Sequence, residues 1–301
     1  MKMKSDHSLR IISMIISGTI LLSSCQKDKS GSNPNDAKAV ATATADEQML
    51  EASFSTVFDD AAGVDDVTAG EEIGIYGSTG AGIFSRSINS DPRARTATRC
   101  FTVTVTPKEK GVFPKTVTLD FGSGCDAGGH VRKGKIIFTY SGRLHVPGNQ
   151  VVTSFENYSI DSFSIEGKHT LINSAIAGTN QKSFSTRVEL AKVTNLQSGK
   201  WWNWNSERVF TQTEGNGTAF FPWDDVYTLD GQSAGSTSTG VNWTSEITHL
   251  LTKKMTCHWL VSGKVEIRVN NTVGSLDFGN GACDNSANLT VNGDSKTITL
   301  R

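Results

Sequence analysis

From Arg99 to the C-terminus the chain alternates apolar and polar positions. Phe101, Val103 and Val105 interleave with Thr102, Thr104 and Thr106, and Val117 and Leu119 with Thr116 and Thr118. Ile136, Phe138 and Tyr140, then Val188 and Leu190, Val265, Ile267 and Val269, Leu289 and Val291, and Ile298 and Leu300 continue the pattern. Period two sends successive side chains to opposite faces of a strand, so each strand has one buried and one wet face. Gly, Asn and Asp interrupt the runs where hairpin turns need them. The pattern predicts an all-β fold of mainly antiparallel, sandwich-like sheets. The strands near 129–175 and 184–213 are long enough to form an open curved sheet instead.

One helix precedes the strands. Leu50, Phe54, Val57, Phe58 and Ala61 recur at helical spacing and form one apolar stripe. Thr44-Ala45-Asp46-Glu47 fits a capping box, which predicts a start at Thr44, and Gly63 marks the end. Residues 63–98 are rich in Gly, Ser and Ala and predict a loop with one strand around Ile73 to Tyr76.

The strand region contains an internal echo. Thr116-Val117-Thr118-Leu119-Asp120-Phe121-Gly122-Ser123-Gly124-Cys125-Asp126 resembles Gly274-Ser275-Leu276-Asp277-Phe278-Gly279-Asn280-Gly281-Ala282-Cys283-Asp284. The Cys of each segment follows an earlier one, Cys125 after Cys100 by 25 residues and Cys283 after Cys257 by 26. The midpoint of the first pair lies at Val112–Phe113 and that of the second at Asn270, both in turn-like stretches. Each pair therefore faces across its own hairpin, where Cα atoms ~4.5–5.5 Å apart permit a disulfide. No Cys-x-x-Cys spacing supports zinc. The expectation is two disulfide-closed hairpins, Cys100–Cys125 and Cys257–Cys283. They mark two related halves, about 95–195 and 196–301, of one β-rich domain over 44–301.

The Leu-Asp-Phe-Gly-x-Gly-Cys run, Arg132-Lys133-Gly134-Lys135-Ile136-Ile137 and Tyr140-Ser141-Gly142-Arg143 together resemble a family of Bacteroidota outer-membrane and cell-surface lipoproteins. The Asp277–Asn285 segment, the Thr297-Ile298-Thr299-Leu300 terminus and the stretch Trp204 to Gly240, with Arg208, Tyr227 and Gly231, are similar to it as well. The resemblance covers most of 45–301 and brings no catalytic residue with it.

The N-terminus agrees with an envelope address. Lys2, Lys4 and Arg10 precede an apolar run from Ile11 to Leu22, too short for the ~20 apolar residues of a membrane span. Leu22-Ser23-Ser24-Cys25 then matches a lipobox. This predicts a signal peptide over 1–24 and lipidation (palmitate and related acyl chains) at Cys25. Residues 25–43 read as a flexible tether, with Gln26-Lys27-Asp28 resembling a surface-export tag. The expected localisation is the outer membrane, lipid-anchored and exposed at the cell surface, with the membrane as first partner. The odd count of five Cys is thereby used up: one lipid, two pairs.

Charge excludes one class. The 29 Lys+Arg against 30 Asp+Glu give a net charge of -1. Removing 1–24 takes three bases and one acid and leaves -3. Neither value suits a nucleic-acid binder.

Candidate chemistry is sparse. No Walker A, H-E-x-x-H or Rossmann glycine pattern occurs. Gly231-Gln232-Ser233-Ala234-Gly235 matches the nucleophile-elbow pattern, but the following Ser/Thr run is a poor helix start, which favours a turn. Asp120, Asp126, Asp277 and Asp284 sit in glycine-rich loops that could hold calcium; turns capped by Asp hydrogen bonds explain the same residues, so no metal or other cofactor is expected. The aromatic cluster stands out. Trp201, Trp202 and Trp204 fall within four positions, and Trp223 follows among Asp and Asn. Trp202 and Trp204 share one strand face and Trp201 the other. Such residues either pack between sheets or form a platform for sugar rings. The functional expectation is a non-enzymatic, lipid-anchored envelope protein that binds a glycan or another envelope protein through these aromatics. The alternative is a structural or assembly component of the outer membrane without a small-molecule ligand.

Overall fold

A computed structural model of the chain describes residues 34–64, 68, 72–76, 100–127, 129–219 and 221–300. The expected lipidation site Cys25, the expected signal peptide and Phe220 lie outside them. Among the described residues one α-helix, α1 (Pro34–Ala62), is followed by fourteen strands. These are β1 (Thr102–Thr106), β2 (Lys115–Asp120), β3 (Cys125–Ala127), β4 (His130–Tyr140), β5 (Gln150–Ile160), β6 (Phe163–Asn173) and β7 (Ser183–Asn195). Then come β8 (Trp201–Glu214), β9 (Val226–Thr237), β10 (Asn242–Lys254), β11 (Leu260–Val269), β12 (Thr272–Asn280), β13 (Ser286–Val291) and β14 (Asp294–Thr299).

All pairings are antiparallel, and neighbours in sequence are neighbours in space, apart from β3, which docks on β4 beside β2. The result is the expected mainly antiparallel all-β class, built as one continuous open meander from β1 to β14. β7 pairs with β8 across the expected boundary of the two halves. The open curved alternative describes the architecture.

The sheet curls because α1 occupies its inner side. α1 packs on β5 and β6 and also on β10 to β13, strands that lie far apart in the sheet order. A flat sheet could not reach the helix from both ends. Bulges supply the bends. At β7 one extra residue is inserted between Val188 and Ala191 relative to both neighbouring strands. Leu190 takes φ 54° there and is 85% exposed, so the expected burial of Val188 and Leu190 on one face fails at Leu190. A bulge shifts the alternation by one, which local period reading cannot detect. Gly167 on β6 faces this bulge with φ 117°, and a Cβ there would stand 2.7 Å from Ala191 Cα.

The apolar stripe of α1 is buried as its spacing predicts: Leu50, Phe54, Val57, Phe58 and Ala61 are all in the core. Its start is not at Thr44. The helix begins ten residues earlier, so residues 34–43 are not tether. Thr44 gives its hydroxyl to Val40 O at 2.9 Å, a mid-helix bond to the preceding turn and not a cap. Pro34 opens the first turn, the position its fixed φ suits. Val40 and Ala43 pack inward, and Val40 reaches so close to β12 that a Cβ on Gly274 would stand 2.4 Å from Val40 Cγ1. Beyond the helix, Ile73, Ile75 and Tyr76 are buried without forming the expected strand. The Ile75 amide bonds Ala62 O at 3.0 Å and Ile73 O accepts the Leu144 amide at 2.7 Å.

Both expected disulfides are present, with Cα atoms 5.6 Å and 5.7 Å apart. The first hairpin's register pairs Thr102 with Asp120, so Cys100 reaches Cys125 past the turn at Gly122–Gly124 and not directly across.

The inner sides of β8, β9 and β10 line up in rows under the helix. Trp204, Gly235 and Trp243 form one row, and Ser206, Ser233 and Ser245 the next. One carboxylate of α1, Glu47, collects these rows. Trp204 Nε1 and Trp243 Nε1 donate to Glu47 Oε2 at 3.0 Å and 2.8 Å. Arg208 Nη2 donates to Oε1 at 3.4 Å, and Ser233 Oγ donates to Oε1 as well. Gly235 has no side chain because the Trp243 ring lies over it; a Cβ would stand 2.1 Å from Trp243 Cζ2. Replacing Glu47 with Ala would leave Arg208 short of one partner and three donors buried without an acceptor. Loss of one member of a buried charge pair costs about 3–5 kcal/mol. Urea unfolding of Glu47→Ala should show a loss of this order, and a loss below about 1 kcal/mol would mean that the contacts do not hold the helix.

Candidate functional site

A half-open cavity of about 440 Å³ lies between α1 and the inner side of β9 to β12. Its sheet wall is mainly apolar, with Leu229, Ile247, Leu251, Val265, Ile267, Leu276 and Phe278 beside Arg208 and Ser245. Its helix wall is polar, with Thr44, Gln48, Ala52 and Thr56 one turn apart along one flank and Glu47, Glu51, Ser55 and Asp59 beside them. The cavity exists because the two faces of α1 differ. Large side chains (Leu50, Phe54, Phe58) fill the space toward other strands, where Phe54 meets Trp204 at 5.4 Å and Phe58 meets Phe210 at 5.3 Å between ring centroids. Around the cavity the opposite flank carries the short side chains of Thr44, Ala52, Ser55 and Thr56, while Val40 at the helix start does reach β12. From Thr44 to Asp59 the helix rises about 22 Å at 1.5 Å per residue, so the space is elongated.

Acids on the helix edge of this space are engaged. Glu51 receives Arg208 Nη2 at 2.9 Å. Burial raises the Glu51 carboxyl above its usual range, against the pull of Arg208. Asp59 is buried near Lys253, whose ammonium donates to Cys257 O and, at 3.2 Å, to His258 O. Burial lowers the Lys253 ammonium to about 8, with Asp59 opposing the shift. Gln48 differs: its amide Nε2 is buried and has no hydrogen-bond partner. A buried unpaired donor costs about 1–3 kcal/mol, and this one belongs to a residue that lines the cavity.

Three other polar groups sit deep in the fold. Asp225 accepts Tyr76 OH at 2.8 Å, Tyr227 OH at 3.1 Å, Gln212 Nε2 at 2.7 Å and Lys182 Nζ at 3.2 Å, which pins the segment after the helix onto β8 and β9. Arg132 on β4 pairs with Asp60 at 2.5 Å and lies over the Phe121 ring. His169 on β6 stacks beside Phe54, and burial drives its imidazole down to about 4.

The expected aromatic platform is not built. Trp202 and Trp204 are 6% and 1% exposed. Both belong to the inner row facing α1; Lys200 covers the Trp202 ring at 4.5 Å, and Trp204 is spent on Glu47. Trp201 faces outward on β8 and is half-buried, as is Trp223 in the short turn Pro222–Asp224; the four Trp do not share a surface. Trp243, absent from the expected site, proves to be a core donor.

Ser233 is no nucleophile elbow. It lies within β9, is buried, and its hydroxyl serves Glu47 rather than a histidine. The acidic loops are turns. Asp120 Oδ1 accepts the Gly122 amide, Asp277 Oδ1 the Gly279 amide and Asp284 Oδ1 the Ser286 amide, each at 2.9 Å; Asp126 is exposed. Among the described residues no group of acids, His and Cys could hold a metal ion.

A larger depression of about 690 Å³ crosses β6 to β10, mostly on the outer side of the sheet. Its cations are already matched: Lys168 pairs with Glu189 at 2.5 Å, and Arg187 pairs with Glu207. Its lining is the more polar of the two and its charges are paired within it, so the more apolar inner cavity is the better site for an apolar ligand. No family model matches the chain, and no curated protein or solved structure matches it either.

His169 makes stability depend on pH. Its folded value, about 4, lies below the unfolded value of about 6.5. Stability from this residue is complete above pH ~6.5 and is lost as pH falls toward 4, by about 3 kcal/mol in all. Urea midpoints measured between pH 7 and 4 should fall in the parent chain and fall less in His169→Leu; equal slopes would refute the assignment.

Proposed function

We propose that the protein is a lipid-anchored envelope protein that binds an elongated apolar ligand between α1 and β9–β12. The observation that carries this reading is the cavity: about 440 Å³ with a mainly apolar sheet wall, beside a core filled by aliphatic and aromatic side chains. Ligand sites of 300–1,000 Å³ are commonly apolar with a few placed polar groups. The Gln48 amide offers such a point. Apolar chemistry replaces the glycan expectation because the buried Trp202 and Trp204 cannot stack on a sugar.

The anchor supports the same reading. A signal ending in Leu22-Ser23-Ser24-Cys25 would hold the domain at an outer-membrane surface, where apolar ligands are plentiful. The proposed place in the Bacteroidota lipoprotein family rests on the same signal and on the motifs around Cys125 and Cys283.

Each buried methylene contributes about 0.8 kcal/mol, close to a fourfold gain in affinity. Displacement of a fluorescent apolar probe by 1-alkanols of increasing length should show this gain until the cavity is full. Ala52→Trp should block it, because Ala52 lines the cavity yet reaches solvent. Affinity that ignores chain length, or no displacement at all, would reject the reading. For the anchor, Cys25→Ala in the full chain should move the protein from the membrane fraction to the soluble fraction; unchanged fractionation would remove the lipid.

A further inference from the structure

The lining residues that reach solvent mark the opening of the cavity. They are Ala52 on α1, His130 at the start of β4 and His258 in the turn between β10 and β11. β4 and β10 are six strands apart in the sheet order, so only the curl around α1 brings the two histidines to one cavity.

His130 is held in place. Its Nδ1 lies 2.8 Å from Asp161 Oδ2, and Asp161 Oδ1 accepts the Val131 amide at 3.0 Å. Burial would raise the Asp161 carboxyl, but the bonds from His130 and Val131 outweigh it and hold it below its usual range. With Nδ1–H directed at Asp161, Nε2 is the nitrogen left for a ligand. His258 stands edge-on to Trp259, with ring centroids 5.2 Å apart. The fixed charges nearby come in opposite signs: Arg132 with Asp60, and Lys253 near Asp59.

We propose that the apolar ligand carries a terminal carboxyl group, received at the opening by the His130–Asp161 pair with His258 as a second donor. This rests on the cavity reading above. The acid's proton passes to His130 Nε2, which leaves a ligand carboxylate beside an imidazolium that Asp161 already stabilises from the other side. A carboxyl fits better than an amine, because Asp161 is already held by His130 and the Val131 amide, and of the acids lining the cavity Glu47 and Glu51 are paired with Arg208 and Asp59 lies near Lys253. The tail then lies along the helix flank against Ile247, Ile267 and Leu276.

The test compares palmitate with 1-hexadecanol, which has the same tail length, on the purified full-length protein by calorimetry at neutral pH. A hydrogen bond to a charged group contributes enough for at least a tenfold preference for palmitate. In His130→Gln the ratio of the two affinities should fall close to one, and Asp161→Asn should lower it part of the way. Thermal melts of both variants report whether the fold is kept; both changed side chains are about half exposed. Equal affinity of the two ligands for the parent protein would overturn the carboxyl assignment while leaving the cavity reading in place. A preference that survives His130→Gln would overturn the role of His130. Binding of neither ligand would overturn the cavity reading, and this one with it.

Discussion

A carboxylate in the middle of a helix is an unusual thing to bury, and Glu47 has four partners to make it tolerable. Its two oxygens accept from Trp204, Trp243, Ser233 and Arg208, which come from three consecutive strands. In a medium of low polarity such a group is acceptable only when every lone pair is used. The bonds therefore fix more than one contact. They set how far α1 sits from the sheet, which way it is rotated and how the three strands are curved beneath it. Because the interaction is directional, it specifies one arrangement where apolar packing alone would accept several.

The cavity follows from that rotation. With Glu47 turned toward β8–β10, the large side chains at Leu50, Phe54 and Phe58 fill the space toward the middle of the sheet, and the small flank of Thr44, Gln48 and Ala52 faces β11 and β12. Buried polar ties elsewhere reinforce the same pose: Arg132 with Asp60 near the helix end, and Asp225 with Tyr76, Tyr227, Gln212 and Lys182 beyond it. The helix is thus attached along its length by charge and hydrogen bonds and leaves one apolar wall uncovered. A protein built to maximise packing would have placed a Leu or Phe at Gln48 or Ala52.

Bulges and glycines convert a regular meander into a wrapped one. Leu190 is thrown outward at a bulge facing Gly167, and Leu250 is exposed beside a second irregular stretch facing Gly263. These local losses of alternation let fourteen strands curve around a single helix without closing. The curl also brings His130 and His258 to the same opening from opposite parts of the chain.

The strand pattern was legible in the chain because burial on one side of a sheet imposes period two on every strand. The same holds for the stripe from Leu50 to Ala61 and for the two Cys pairs, whose spacing matches hairpin geometry. Local chemistry sufficed for the Asp turns too. What local chemistry could not supply was the side of the sheet on which a helix would lie, and so which Trp would be covered. It also could not reveal that Glu47 was a core acceptor rather than half of a capping box, since its four donors lie 157 to 196 residues away. The Ala-rich, polar stretch over 34–43 resembled a tether because its burial comes from tertiary contacts, such as Val40 against Gly274 on β12, that no local pattern announces. The sequence by itself determined the strands, their turns and the disulfides, all of which depend on neighbours along the chain. Tertiary structure alone decided the curl, the cavity and its two histidines, because these depend on where one buried charge finds its partners.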